Sequence, residues 1–127
     1  MNAYGPQIAA LARRAERERQ FVREHPPDPP DHDAAMTYLR EGAGPAIWTY
    51  VDGRTGGDFV HFSPAEFEAL EGAMNRWLEC YTACFGVEID ATFTLREAAE
   101  LLLETRNIRD VAQLLTGVPE RDEKRVE

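Results

Sequence analysis

Lysine is almost missing from this chain. Of its 14 basic residues 13 are arginine, and Lys124 falls among the last four positions. Long apolar runs are missing too: nothing approaches the ~20 residues needed to cross a bilayer, so no membrane span is expected. The opening MNAYGPQIAALARRAERER has no apolar core of the secretory kind and turns charged after residue 12, which argues against a signal peptide. Cysteine is limited to Cys80 and Cys84. Four residues apart on a helix, their Cβ atoms would lie about 5–6 Å from each other, beyond the roughly 3.5–4.5 Å a disulfide spans. Reduced thiols and no leader together predict a cytoplasmic protein.

The scarcities extend to catalytic grammar. Serine is nearly absent, and there is neither a GxSxG elbow nor a local Cys-His signature. The glycine-rich DGRTGGD at 52–58 lacks the lysine of a phosphate loop and is framed by two acids. Cys80 and Cys84 have no second cysteine pair to complete a zinc site. His25, His32, Asp28, Asp31 and Asp33 crowd one segment, but no pair of them has fixed helical spacing. The chain therefore reads as a non-enzyme with no cofactor and no metal.

Acid is what the sequence has in excess: 23 Asp and Glu give a formal net charge of −9 and a pI near 4.8. A surface rich in carboxylates and poor in lysine stays hydrated and mutually repelled in concentrated salt. The expectation is a salt-adapted organism of haloarchaeal type, with GC-driven codon bias as the competing explanation. The charge is uneven. Residues 1–24 carry five arginines against three glutamates, whereas the remainder carries nine basic and twenty acidic groups.

At 127 residues the chain is long enough for one domain. Tyr4, Ile8, Leu11, Ala15 and Val22 form a narrow apolar stripe that predicts an arginine-rich helix over 1–24. HPPDPPDHD at 25–33 reads as a stiff proline-rich spacer. A globular domain at 34–117 and a charged, disordered tail at 118–127 complete the organisation. Within the domain, a short helix at 34–41 capped by Asp33 should stop at Gly-Ala-Gly-Pro (42–45). AIWTYV (46–51) and DFVHF (58–62) are β-branched and aromatic and read as a hairpin. The alternating VEIDATF (87–93) reads as a third strand.

A helix over 64–85 carries a capping box at Ser63 and Glu66. Its apolar stripe is Phe67, Leu70, Met74, Leu78, Tyr81 and Phe85, with Glu68, Glu71, Arg76 and Glu79 opposite. Thr94 with Glu97, and Asn107, predict two further helices that end at Gly117. The fold class expected is α+β: a small antiparallel sheet of a hairpin plus one strand, packed on a central amphipathic helix, with an N-terminal helical arm and a C-terminal helix pair.

The function expected is a protein–protein interaction or regulatory module. Its partner, another protein or a second copy, would meet the arm through Arg13, Arg14 and Arg17. If the hairpin offered an aromatic face, Trp48, Tyr50 and His61 would line a ligand or partner surface. Two alternatives stand beside this. Residues 94–117 superficially resemble a helix-turn-helix, with Arg106, Arg109 and Gln113 near the second helix, which would imply DNA binding. Three basic groups against four acidic ones weigh against nucleic acid there. The other alternative is a small-ligand or metal-binding domain.

Overall fold

The computed structural model describes residues 5–55 and 62–120. Among these residues every regular element is helical and there is no strand. Helix α1 runs Gly5–Glu24 and α2 His32–Tyr38; a π-helical turn follows at Leu39–Ala43, and α3 runs Gly44–Thr55. Then come α4 (Pro64–Ala83), α5 (Leu95–Thr105) and α6 (Ile108–Thr116). The expected α+β fold with its antiparallel sheet is therefore corrected to an all-helical one.

Helix α4 lies at the centre. Helices α1, α2, α3 and α6 and the π turn pack on it, while α5 rests on α3 and α6. Its N-terminus forms as the sequence predicts: Glu66 N–H donates to Ser63 Oγ at 3.1 Å, and Ser63 N–H donates to Glu66 Oε1 at 2.9 Å. Leu70, Met74 and Leu78 are fully buried, each stabilising the fold by roughly 1.5–3 kcal/mol. From Trp77 to Thr82 no residue of α4 faces solvent, because α1 covers the side that a single-helix wheel assigns to water.

Helix α1 lies along α4 instead of projecting as an arm. Ile8, Leu11, Ala15 and Val22 are all buried, as the stripe predicts. The small side chains of Ala15, Ala73 and Cys80 allow the two backbones to approach closely. The proline-rich segment is a docked strap, since Asp31 N–H donates to Cys84 O at 2.9 Å. Asp31, not Asp33, caps α2 through a bond from Ala34 N–H at 3.0 Å.

The first predicted strand, 46–51, is α3. Gly-Ala-Gly-Pro does not stop the chain, because the helix widens to a π turn there. Gly44 N–H reaches back five residues to Leu39 O, and Pro45 follows where a missing N–H does least harm. Leu39, Ala43, Ile47, Tyr50 and Val51 are buried at helical spacing, a period masked by β-branched and aromatic composition. Of the second predicted strand, only Phe62 is described, and it is neither helix nor strand; residues 58–61 lie outside the described residues.

The third predicted strand alternates only in part: Ala91 is buried and Ile89 and Phe93 are half-buried, while Glu88, Asp90 and Thr92 are exposed and Val87 is exposed with them. What it lacks, among the described residues, is a neighbouring strand. Side chains of α4 take that place. Ala91 N–H donates to Glu79 Oε2 at 2.8 Å, Phe93 N–H to Asn75 Oδ1 at 2.9 Å, and Leu95 N–H to Glu71 Oε2 at 2.8 Å. In return Arg76 donates to Ala91 O at 3.0 Å, Asn75 to Phe93 O at 3.0 Å, and Arg23 of α1 to Ile89 O at 3.3 Å. Residues 71, 75 and 79 repeat every four along one helix face, matching the two-residue repeat of the extended chain. This polar row satisfies backbone groups that would otherwise be buried without partners.

The C-terminal pair follows its caps. Thr94 and Glu97 form the second capping box, and Arg106 closes α5 with φ 58°. Asn107 Oδ1 accepts from Arg109 N–H at 2.9 Å to start α6, and Gly117 with φ 72° ends it. Of the predicted tail, residues 121–127 lie outside the described residues; Val118 is buried, and its carbonyl accepts the Tyr81 hydroxyl at 2.6 Å.

Candidate functional site

Three side-chain groupings have chemistry beyond packing. The first is centred on Glu79, which the wheel placed on the solvent side of α4 and which is only 3% exposed. Arg76 donates to it twice, at 2.9 and 2.7 Å, and Arg19 donates once at 3.0 Å. Arg23 lies at 3.7 Å. Burial pushes the carboxyl upward in pKa, but the Ala91 N–H, Arg76 and Arg19 outweigh it and hold the group below its ordinary value. The same contact, chiefly its hydrogen bond to Glu79, raises the Arg19 guanidinium. This cluster ties α1, α4 and the extended segment together and is fully engaged in doing so.

The second is a cleft of about 380 Å³ between α1, α2 and α4. The guanidinium of Arg14 sits 5.4 Å from the centroid of the Trp77 ring and 3.7 Å from Glu41. Tyr38 donates its hydroxyl to Glu18 at 3.1 Å, and its ring centroid is 5.8 Å from that of Trp77. Burial first, and then the Glu18 charge, push the Tyr38 hydroxyl well above its ordinary pKa. Trp77 is held from behind by the π turn, where a Cβ on Gly42 would collide with the indole ring. Its Nε1–H is buried and has no partner among the described residues, an omission that ordinarily costs about 1–3 kcal/mol.

The third is the outer face of α1. Arg13, Arg17, Phe21 and His25 stand four residues apart in one row. Phe21 is 56% exposed, and its ring stacks on His25 with centroids 4.7 Å apart. Arg19, Arg23 and Arg76 all pair with acids, whereas Arg13 and Arg17 have no ion pair or hydrogen bond among the described residues.

The sequence-predicted site residues distribute as follows. Arg13 and Arg17 share the outer face of α1, while Arg14 turns to the cleft. Trp48 is 52% exposed and Tyr50 is buried, its ring 6.1 Å from Phe67. Two residues apart on a strand they would share a face; on α3 they point to different sides, so the aromatic surface expected of a hairpin does not form. His61 lies outside the described residues. Among the described residues no group of three His, Cys, Asp or Glu is placed to hold a metal ion, and the segment with His25 and His32 forms none. Cys80 and Cys84 are free and buried; burial pushes their thiols up to about 12 and about 11. No helix among the described residues is long and apolar enough to cross a membrane.

Sequence reasoning missed Glu18, Tyr38, Glu41, Trp77 and the buried Asn75 and Glu79. A signal for the last two was present: Glu71, Asn75 and Glu79 stand at strict four-residue spacing, and so do Arg19 and Arg23.

No curated protein and no solved structure matches the chain. A family does, over residues 2–120, and by that match the chain belongs to the Domain of unknown function (DUF8055) family.

Proposed function

We propose that the protein is a non-enzymatic interaction module of the cytoplasm of a salt-adapted cell, and that its contact surface is the outer face of α1. The observation carrying this reading is the row Arg13–Arg17–Phe21–His25: two arginines unpaired among the described residues, beside an exposed aromatic ring, on a chain with 23 acids. Arginine and aromatic side chains are enriched in protein contact surfaces. The partner this surface suits is acidic, and a second copy of the chain supplies one, since the sequence after residue 24 carries twenty acidic and nine basic groups. In molar salt the Debye length shrinks to about 3 Å, so long-range attraction is lost and contact pairs and Phe21 burial must hold the complex. The exposed Arg106 and Arg109 at the α5–α6 turn lie among Glu104 and Asp110, a mixed-sign face that favours the protein reading over a nucleic-acid one.

Sedimentation equilibrium of the full chain across a KCl series tests the reading. The expected result is concentration-dependent self-association that Arg13→Glu/Arg17→Glu weakens and Phe21→Ala abolishes at high salt. A chain that is monomeric at every concentration and salt, or association unchanged by these substitutions, refutes it. The same series should show the melting temperature rising with KCl; a flat profile would leave codon bias as the account of the arginines.

A further inference from the structure

The two most exposed large apolar side chains among the described residues are both aromatic, and they lie on different helices. Phe21 on α1 is 56% exposed, and Trp48 on α3 is 52% exposed. Phe21 belongs to the contact row of α1. Trp48 lines a second cleft, of about 290 Å³ between α1 and α3, together with Gln7, Pro45, Thr49 and Asp52. Small-molecule sites run from about 300 to 1,000 Å³, so this cleft suits a single side chain better than a free ligand.

Charge and spacing narrow the choice of side chain. Trp48 and Asp52 stand four residues apart on α3 and line the same cleft, a step of about 6 Å along the helix axis. Arg17 and Phe21 stand four apart on α1 with the same step. Laid antiparallel, the two pairs meet in register, ring on ring and guanidinium on carboxylate. Arg17 has no ion pair or hydrogen bond among the described residues. The Asp52 carboxylate is exposed and offers about four acceptor positions, enough to receive an arriving guanidinium beside a neighbour on its own chain. The contact cannot form within one molecule. Gln7, at the cleft, and Phe21 belong to the same helix, about 21 Å apart along its axis, beyond the reach of one side chain.

Resting on the α1 outer face as the contact surface, we propose that Phe21 of one copy seats against Trp48 in this cleft of a second copy, with Arg17 paired to Asp52 across the interface. The ring contact is not screened by salt, so it persists where long-range attraction is lost. Two different patches meet, and reciprocal use of both closes a dimer.

Sedimentation equilibrium of the full chain in low and in molar KCl tests this, with thermal unfolding of each variant as the control for folding. Trp48→Ala should weaken self-association by at least about tenfold at both salt levels. Arg17→Asp and Asp52→Arg should each weaken it by about tenfold in low salt. The two charge changes together in one chain should restore it to within about threefold of wild type, a recovery that a merely structural role of either residue would not give. The charge swap reads the register independently of Trp48→Ala. Self-association that Arg13→Glu/Arg17→Glu weakens, but that Trp48→Ala and Asp52→Arg leave unchanged, overturns this pairing while the α1 face stands as a contact surface. No recovery in the charge-swapped chain overturns it as well. A wild-type chain that stays monomeric throughout overturns both the pairing and the reading on which it rests.

Discussion

Replacing Glu79 by glutamine keeps the size of the side chain, removes its charge and turns one of its two acceptor oxygens into a donor NH2. In the folded protein this carboxylate accepts two bonds from Arg76, one from Arg19 and one from the Ala91 N–H. Truncating one partner of a buried ion pair costs roughly 3–5 kcal/mol, because the other partner is left uncompensated. Here Arg19 and Arg76 have side chains 28% and 25% exposed, so water can take over part of their solvation. The amide oxygen of the introduced glutamine would also still accept from Ala91. These two offsets place the expected loss near the lower end, about 3 kcal/mol, against a typical total stability of about 5–15 kcal/mol. At about 4 °C per kcal/mol, the melting temperature falls by about 12 °C.

Urea unfolding followed by circular dichroism measures the loss, and the Arg19→Met cycle isolates the pair. A loss below about 1 kcal/mol would refute the view that the cluster holds α1 to the body, since that is the worth of an ordinary exposed pair. The pH dependence has a defined sign. The folded pKa of Glu79 lies below its unfolded value of about 4.3. Its contribution is therefore fully present above that value and disappears as pH falls through the folded pKa. The difference between wild type and Glu79→Gln should shrink in acid below about pH 4 and stay constant from there to neutrality.

Three further outcomes follow from local geometry. Gly42→Ala drives a methyl group into the Trp77 ring and should destabilise the fold by about 3 kcal/mol; a neutral effect in thermal unfolding would mean that the π turn does not press on Trp77. Arg106 occupies the left-handed region at φ 58°, so Arg106→Gly should raise stability by roughly 0.5–1 kcal/mol in urea titration, the relief of strain exceeding the entropy cost of glycine, and a loss would refute this. Cys80 and Cys84, raised to about 12 and about 11 by burial, should react with a thiol reagent at pH 8 at least about 100-fold more slowly in the native protein than in urea; reaction at equal rates would show that the core between α1 and α4 opens freely.

How much of this could be read from the sequence depended on whether the signal was local. Ser63/Glu66, Thr94/Glu97 and Asn107 cap the helices they were expected to cap, because a cap is decided within four residues. The inward faces of α1 and α5 also follow from periodicity. Helix α3 was hidden because Ile47, Trp48, Thr49, Tyr50 and Val51 have strand-like composition. Only the packing on α4 and α5, with the π turn easing Pro45 into the helix, makes them helical. The alternation of 87–93 revealed the extended chain and its buried side but not what would bond its backbone. Glu79 looked solvated for the same reason: a helical wheel sees one helix, and the covering α1 comes from residues some sixty positions away. The cleft was illegible because Arg14, Tyr38 and Trp77 meet only through three helices.

Native-state hydrogen exchange at residues 88–95 tests the central claim, that the side chains of Glu71, Asn75 and Glu79 take the place of a neighbouring strand. The Ala91, Phe93 and Leu95 amides donate to these side chains, while Asp90 and Thr92 are exposed between them. The account predicts strong protection at 91, 93 and 95 and fast exchange at 90 and 92, with protection at 91 lost first in Glu79→Gln. Uniform protection along the segment, or exchange at 91, 93 and 95 as fast as at 90 and 92, would contradict it.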